Sequence, residues 1–179
     1  MSSRFTTRSL RTLSYKAFDI KRDEMMATYN DLNSLDDWFL RQAIDQAERG
    51  ISIEDQRIPQ TVALLGQPSI YLYATSIFDG EVGNGGVQQF FDNSSGALAP
   101  IVRDALQDML LPKCADIMSR IIDAFGAPFP VSQFDRMDRI DSDPALQIIL
   151  NEAYDAIDVW SSDYILARER YAKNNHLLK

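Results

Sequence analysis

The chain has 179 residues and a hydrophobic share of 45%, enough for one domain with a sizeable core. Its formal net charge is −8, which argues against direct binding to nucleic acid or an anionic membrane because both repel a negative surface. Cys114 is the only cysteine and His176 the only histidine, so an internal disulfide is excluded and His-based triads, zinc sites and Cys–His pairs are disfavoured. We therefore expect neither a metal nor a cofactor.

The charge is distributed unevenly along the chain. Residues 1–22 contain six basic residues and one acidic residue, and the rest of the chain contains 12 basic and 25 acidic residues. The arginine- and serine-rich start has the composition of an organelle transit peptide, but we expect an exposed basic arm on a bacterial, cytoplasmic protein. The acidic remainder, residues 23–179, suits a basic partner, although acidity can also serve solubility alone.

Helical periodicity dominates the sequence and strand alternation is nearly absent. We predict an all-α fold, a compact helical bundle of about six to eight helices with a long C-terminal helix. The first helix begins at a cap, Asn33 or Ser34, and ends at Gly50. Its apolar stripe consists of Leu40, Ala43, Ile44 and Ala47.

The uncharged stretch from Ile58 to Phe78 is interrupted by prolines and polar residues, so it predicts buried core and not a membrane span. Ser69 is a candidate cap for a helix that is apolar on two faces and therefore central. A glycine-rich break follows at Gly80–Gly86.

Two amphipathic helices come next, separated by Pro112, and the proline-rich piece Ala127–Pro130 connects them to the rest. Asp143 then caps the long C-terminal helix, with Pro144 at its first position. The apolar seam of the first amphipathic helix ends at Met109 and Leu110. The seam of the C-terminal helix consists of Leu146, Leu150, Ala153, Ile157, Trp160, Tyr164, Ala167 and Tyr171.

The run from Glu81 to Gly96, here called the signature segment, is the most specific local pattern. Its glycines permit positive φ, a short helix from Val87 buries two phenylalanines, and the Asn-Ser-Ser run can cap the next helix. A phosphate loop is disfavoured because no strand precedes the glycines and no lysine follows them. Glu81 and Asp92 suit either a general acid–base pair or capping carboxylates.

The signature segment resembles a bacterial DNA-mimic-protein-like family, an all-helical domain family of largely unknown function. The resemblance covers residues 35–125 and implies an all-α fold and a homodimer; the best-described member binds a transcription factor in place of DNA. Gly83 and Val87 depart from the usual pattern. The residues that carry the resemblance are Glu81, Asn84, Gly85, Gly86, Gln89, Phe90, Phe91, Asn93, Ser94, Ser95 and Gly96.

A DNA mimic needs carboxylates spaced like phosphates on a rigid frame, and helix positions three or four apart supply a spacing of about 5–6 Å. The densest acidic stretch is residues 135–163, in which Arg136 and Arg139 are the only bases. These acids also suit the solvated faces of ordinary helices. The predicted acidic face consists of Asp104, Asp108, Asp135, Asp138, Asp141, Glu152, Asp155, Asp158 and Asp163.

Three functions remain open at this point. The first is a non-enzymatic acidic interaction protein, a homodimer that binds a basic DNA-binding regulator as a DNA mimic. The second is a small-molecule or catalytic site in the signature segment, built from Glu81, Asn84, Gln88, Gln89 and Asp92. The third is a structural role in which the basic arm clamps an acidic surface. We favour the first.

Overall fold

The computed structural model describes residues 29–179, which form eight α-helices and one 3₁₀-helix and contain no strand. The all-α class and the number of helices predicted from periodicity are confirmed. These residues share one hydrophobic core. The predicted basic arm, residues 1–22, lies outside the described residues.

The helices follow one another with short connections. They are α1 (Leu32–Glu48), α2 (Gln60–Ala63), α3 (Gln67–Asp92), the 3₁₀-helix (Ser94–Leu98), α4 (Ala99–Asp108), α5 (Pro112–Phe125), α6 (Gln133–Ser142), α7 (Pro144–Ala156) and α8 (Ser162–Asn174). The connection predicted at Ala127–Pro130 lies between α5 and α6.

Helix α3 is the centre of the bundle, as its two apolar faces predicted. It packs against α1, α2, the 3₁₀-helix, α4, α6, α7 and α8, and Leu72, Tyr73 and Phe78 are fully buried. The predicted cap was wrong: Gly66 is the N-cap, with a φ of 89°, and Ser69 lies buried inside the first turn. The helix therefore begins before the predicted cap, at Gln67, with Pro68 in its first turn.

Helix α1 buries a different stripe from the one predicted. Asp31 is its N-cap and accepts a hydrogen bond from the main-chain N–H of Ser34 at 2.8 Å. The buried apolar face contains Leu32, Leu35 and Phe39, whereas Leu40 is 51% exposed and Ile44 is exposed too. Leu32, Leu35 and Phe39 lie three and four residues apart, so they share one face of the helix, and this face packs on the core.

The end of α4 also differs from prediction. The helix stops at Asp108, and Leu110, expected in its apolar stripe, is exposed with a φ of 61°. Its main-chain N–H still bonds Gln107, so the chain turns tightly before Pro112 begins α5. The apolar stripe of α5 is confirmed, with Met118, Ile121 and others buried.

The long C-terminal helix is in fact two helices, α7 and α8, separated at Ile157–Ser161. Asp158 accepts a hydrogen bond from the main-chain N–H of Trp160 at 2.9 Å, and Ser161 caps α8 by accepting one from Tyr164. Short polar side chains that bond the backbone in this way compete with helix continuation. The seam around the break is buried, but Trp160 points to solvent. The predicted start at Asp143 and Pro144 is confirmed.

A buried ionic cluster joins α8 to α1 and α3. Arg168 is almost fully buried and binds Asp36 through two nitrogens, at 2.7 and 3.1 Å, and Asp79 at 2.6 Å. The Tyr164 hydroxyl donates to Asp79 at 2.6 Å, and the Arg168 Nε bonds Thr75. These contacts fix the position of α8, because breaking any one of them leaves a buried charge incompletely paired.

Within residues 29–179, each helix is too short or too polar to cross a lipid bilayer.

The buried ionic cluster leads to a prediction about how the stability of the protein depends on pH. Burial raises the pKa of Asp79 from 3.8 to about 6, against the opposing effects of Arg168 and Tyr164. The folded protein therefore holds this proton more tightly than the unfolded chain, and the resulting stability is present below about pH 4 and lost as the pH rises through about 6.

We expect Asp79→Asn to remove this dependence, so its free energy of unfolding relative to the wild type rises by on the order of 1–3 kcal/mol between about pH 4 and pH 7. Urea unfolding at several pH values measures it, with Asp37→Asn on the exposed side of α1 as the control. A relative stability that falls over this range contradicts the assignment.

Candidate functional site

The signature segment contains a bend in α3 and not a loop. The chain remains helical through Gly80–Asn84, so the predicted break at Gly80–Gly86 narrows to two residues. Gly85 has a φ of −156°, and Gly86 has φ 80° and ψ 179°, a backbone conformation adopted almost only by glycine. The helix then resumes at Val87, as predicted.

Glu81 joins the two sides of this bend. Its Oε2 accepts hydrogen bonds from Gln89 at 2.9 Å and from Asn93 at 2.8 Å, and its Oε1 accepts one from Ser95 at 2.7 Å. All four residues belong to the family pattern. Their spacing along the chain is therefore explained by one carboxylate that holds three donors from beyond the bend.

The aromatic residues after the bend anchor it in the core. Phe90 and Phe91 are fully buried. Phe90 meets Phe78 edge to face, with ring centroids 5.0 Å apart, and Phe91 packs on Phe125 at 5.3 Å. The predicted burial of both phenylalanines is confirmed, and their packing fixes the direction of the last turns of α3.

Arg136 binds the main-chain carbonyl groups at the C-terminal end of α3. Its side chain is fully buried and donates to the main-chain carbonyls of Phe91 at 3.0 Å and Asn93 at 2.6 Å. It also bonds two carbonyls in the connection before α6, those of Pro130 and Val131. The last carbonyls of a helix lack partners within it, so the guanidinium satisfies them.

Gly96 makes room for this arginine. A Cβ at position 96 would lie 2.7 Å from the Arg136 Nε and 2.8 Å from the Phe90 carbonyl. Gly96 lies inside the 3₁₀-helix, one turn beyond the end of α3. Arg136 is absent from the surface of residues 135–163 because its side chain is buried, although its charge still acts on Asp135.

The polar side chains of the signature segment mostly bond one another. Glu81 holds three of them, and Gln88 donates to Asp92 at 3.2 Å. Burial raises the pKa of Asp92. Asn84 is exposed beside an open cavity of about 330 Å³ that Asp36, Asp37 and Leu40 also line. Among the described residues, no group of three or more His, Cys, Asp or Glu side chains could hold a metal ion.

Every carboxylate of the predicted acidic face is on the surface. Some are engaged: Asp104 pairs with Arg103 and Glu152 with Arg120, each at 2.8 Å. Asp108 lies beside Tyr171, whose pKa rises to about 12 through burial first and then through this carboxylate. Those that form no ion pair with a described residue are Asp108, Asp135, Asp138, Asp141, Asp155, Asp158 and Asp163.

Two exposed aromatic rings that belong to none of the predicted sites lie against the signature segment. Trp160 is 72% exposed and Tyr154 is 68% exposed. A Cβ at Gly83 would lie 2.7 Å from the Trp160 ring, and one at Gly86 would lie 2.8 Å from the Tyr154 ring. The absence of side chains at Gly83 and Gly86 therefore leaves the space that the two rings occupy. Asp158 and Ser161, which bond main-chain N–H groups at the break between α7 and α8, were the sequence signal that Trp160 leaves the core.

Comparison with known proteins finds one family. A family model described as DMP19-like protein matches residues 63–176, more than half of the chain, from α2 to the residues after α8. The match contains the whole signature segment and residues 135–163. No curated protein matches the chain, and no solved structure matches it either.

The bend in α3 leads to a prediction about the stability of alanine variants at Gly86 and Gly80. Gly86→Ala places a Cβ in a glycine-only conformation and against the Tyr154 ring, so we expect a loss of about 1–3 kcal/mol in the free energy of unfolding. Gly80 is helical with open space around it, so Gly80→Ala is expected to stabilise by about 0.5–1 kcal/mol. Chemical denaturation measures both, and equal effects at the two positions contradict the bend.

The Glu81 network makes a second prediction. Glu81→Gln keeps the shape but loses the charge and turns one acceptor into a donor, so we expect destabilisation of about 1–3 kcal/mol. The matched control is Glu152→Gln, which affects only a surface pair with Arg120 and is expected to change stability by less than about 1 kcal/mol. Thermal unfolding of both variants decides: an unaffected Glu81 variant means that the three hydrogen bonds carry no net stability.

Proposed function

Since the chain belongs to the DMP19-like protein family, we propose that it is a non-enzymatic interaction protein that presents carboxylates to a basic DNA-binding protein in place of DNA. The observation that carries the proposal is the one-sided charge of residues 135–163. Seven acids are exposed there, and Arg139 is the exposed base because Arg136 is buried.

The frame under these acids is well defined, which a mimic of DNA requires. Ser132, Asp143 and Ser161 cap α6, α7 and α8 through their side chains. Asp135 and Asp163 lie in first turns, where the helix dipole favours negative charge. Such fixed helices hold carboxylates at definite separations, and positions three apart, as in Asp135 and Asp138, give about 5–6 Å.

A fixed row of negative charges acts on a basic partner in two ways. It speeds the encounter through long-range attraction, and it disfavours acidic partners through repulsion. Competition with DNA follows, because the same cationic surface of the partner binds either the phosphates or these carboxylates. We further propose that the chain acts as a homodimer, as the family resemblance implies, in a bacterial cytoplasm.

The bonds within the signature segment support a structural role for it, and thus the absence of catalysis. A general acid or base must reach a substrate proton, whereas both oxygens of Glu81 are engaged with side chains of the same segment. The segment in this proposal shapes the bundle, and the charged helices after it meet the partner.

The test is binding of the full chain to DNA-binding regulators of its source organism, measured by competition with labelled duplex DNA. We expect affinity to fall at least about ten-fold between about 50 mM and 200 mM salt. Replacing Asp135, Asp138, Asp155 and Asp163 with asparagine is expected to weaken binding further. The control removes four exposed charges elsewhere, by Asp37→Asn, Asp45→Asn, Glu48→Gln and Asp55→Asn.

Two results contradict the proposal. One is binding that responds neither to salt nor to the four changes in residues 135–163. The other is an equal loss in the control variant, which means that total charge matters and its position does not.

A further inference from the structure

Tyr154 and Trp160 are large aromatic side chains that the fold leaves outside the core. Tyr154 is 68% exposed and Trp160 is 72% exposed. Both rings stand at one end of α7, Tyr154 in its last turn and Trp160 in the turn that follows. Exposed aromatic groups of this size are enriched at the centres of protein interfaces.

The backbone holds the two rings in place. The main-chain N–H of Trp160 bonds the Asp158 carboxylate at 2.9 Å, and its ring rests where a side chain at Gly83 would otherwise stand. Tyr154 rests on Gly86 in the same manner. A ring that is already positioned loses little freedom when a partner docks, so this surface is prepared for contact.

Carboxylates lie next to the two aromatic residues along the chain. Asp155 follows Tyr154 directly, and Asp158 and Asp163 flank Trp160 in the chain; all three are exposed and make no ion pair with a described residue. A cation over the face of a tryptophan or tyrosine is attracted by the ring, and a nearby carboxylate adds to that attraction. Arginine suits such a place better than lysine because its planar guanidinium stacks on the ring while its N–H groups reach the carboxylates.

We propose that Tyr154 and Trp160 form the centre of the protein's interaction surface and receive arginine side chains of the basic partner. The inference rests on the proposed function and names what the partner must carry: a segment rich in arginine. The acids attract that segment from a distance, and the rings select arginine on contact.

Charge complementarity favours this occupant over a second copy of the chain. A two-fold interface places the same patch on both sides. Tyr154 and Trp160 would then bring Asp155, Asp158 and Asp163 of one copy against those of the other, and like charges repel at an interface. A basic segment meets no such repulsion.

The experiment compares an oligoarginine peptide with an oligolysine peptide of equal length, using the full chain and calorimetry at low salt. We expect the wild type to bind oligoarginine several-fold more tightly. Trp160→Ala is expected to weaken oligoarginine binding by about five-fold and to remove the preference over oligolysine. Tyr154→Ala is expected to act in the same direction, and Leu64→Ala, an exposed apolar residue on the α2 side, is the control.

The outcomes separate the inference from the proposed function. If Trp160→Ala leaves the preference intact while Asp155→Asn with Asp163→Asn weakens both peptides, the inference is wrong and the proposed function stands. If neither peptide binds at low salt, the inference is wrong as well, and the competition between the chain and labelled DNA decides the proposed function separately. Sedimentation of the Trp160 variant provides a further check: a change from dimer to monomer means that the rings join two copies, which also overturns the inference.

Discussion

The carboxylate of Glu81 holds the bend on which the second half of the protein depends. It accepts three hydrogen bonds from side chains beyond Gly85 and Gly86, so the chain leaves α3 in one direction. That direction places Phe91 in the aromatic core and aims the final carbonyls of α3 at Arg136. Gly86, at the bend itself, lies against the Tyr154 ring. Glu81, Gln89, Asn93 and Ser95 of the family pattern therefore act together to hold one bend of the chain.

Two buried arginines decide how much negative charge reaches the surface. Arg168 pairs with Asp36 and Asp79 inside the bundle, and Arg136 is engaged with main-chain carbonyls. Burying an ion is unfavourable unless its partners are well placed, so each arginine demands one arrangement of the helices around it. The removal of Arg136 from the surface leaves residues 135–163 more uniformly acidic outside than their composition indicates.

The sequence predicted what depends on local pattern and missed what depends on tertiary contact. The all-α class, the central position of α3 and the cap at Asp143 follow from periodicity and capping chemistry alone. The break before α8 was missed because the heptad seam continues across it, although Asp158 and Ser161 contained the opposing signal. The partners of Glu81 and the burial of Arg136 join elements distant in sequence, and no spacing rule identifies them.

The central claim is that basic partners meet the acids and aromatic rings of α7 and α8, while the Glu81 network remains a scaffold. A nuclear magnetic resonance titration of the isotope-labelled full chain with the oligoarginine peptide tests it most directly. The indole N–H of Trp160 and the main-chain amides of residues 154–163 are predicted to shift, with the indole of the half-buried Trp38 unchanged. Dominant shifts at the side-chain amides of Asn84, Gln89 and Asn93 contradict the account, because they place the ligand in the signature segment.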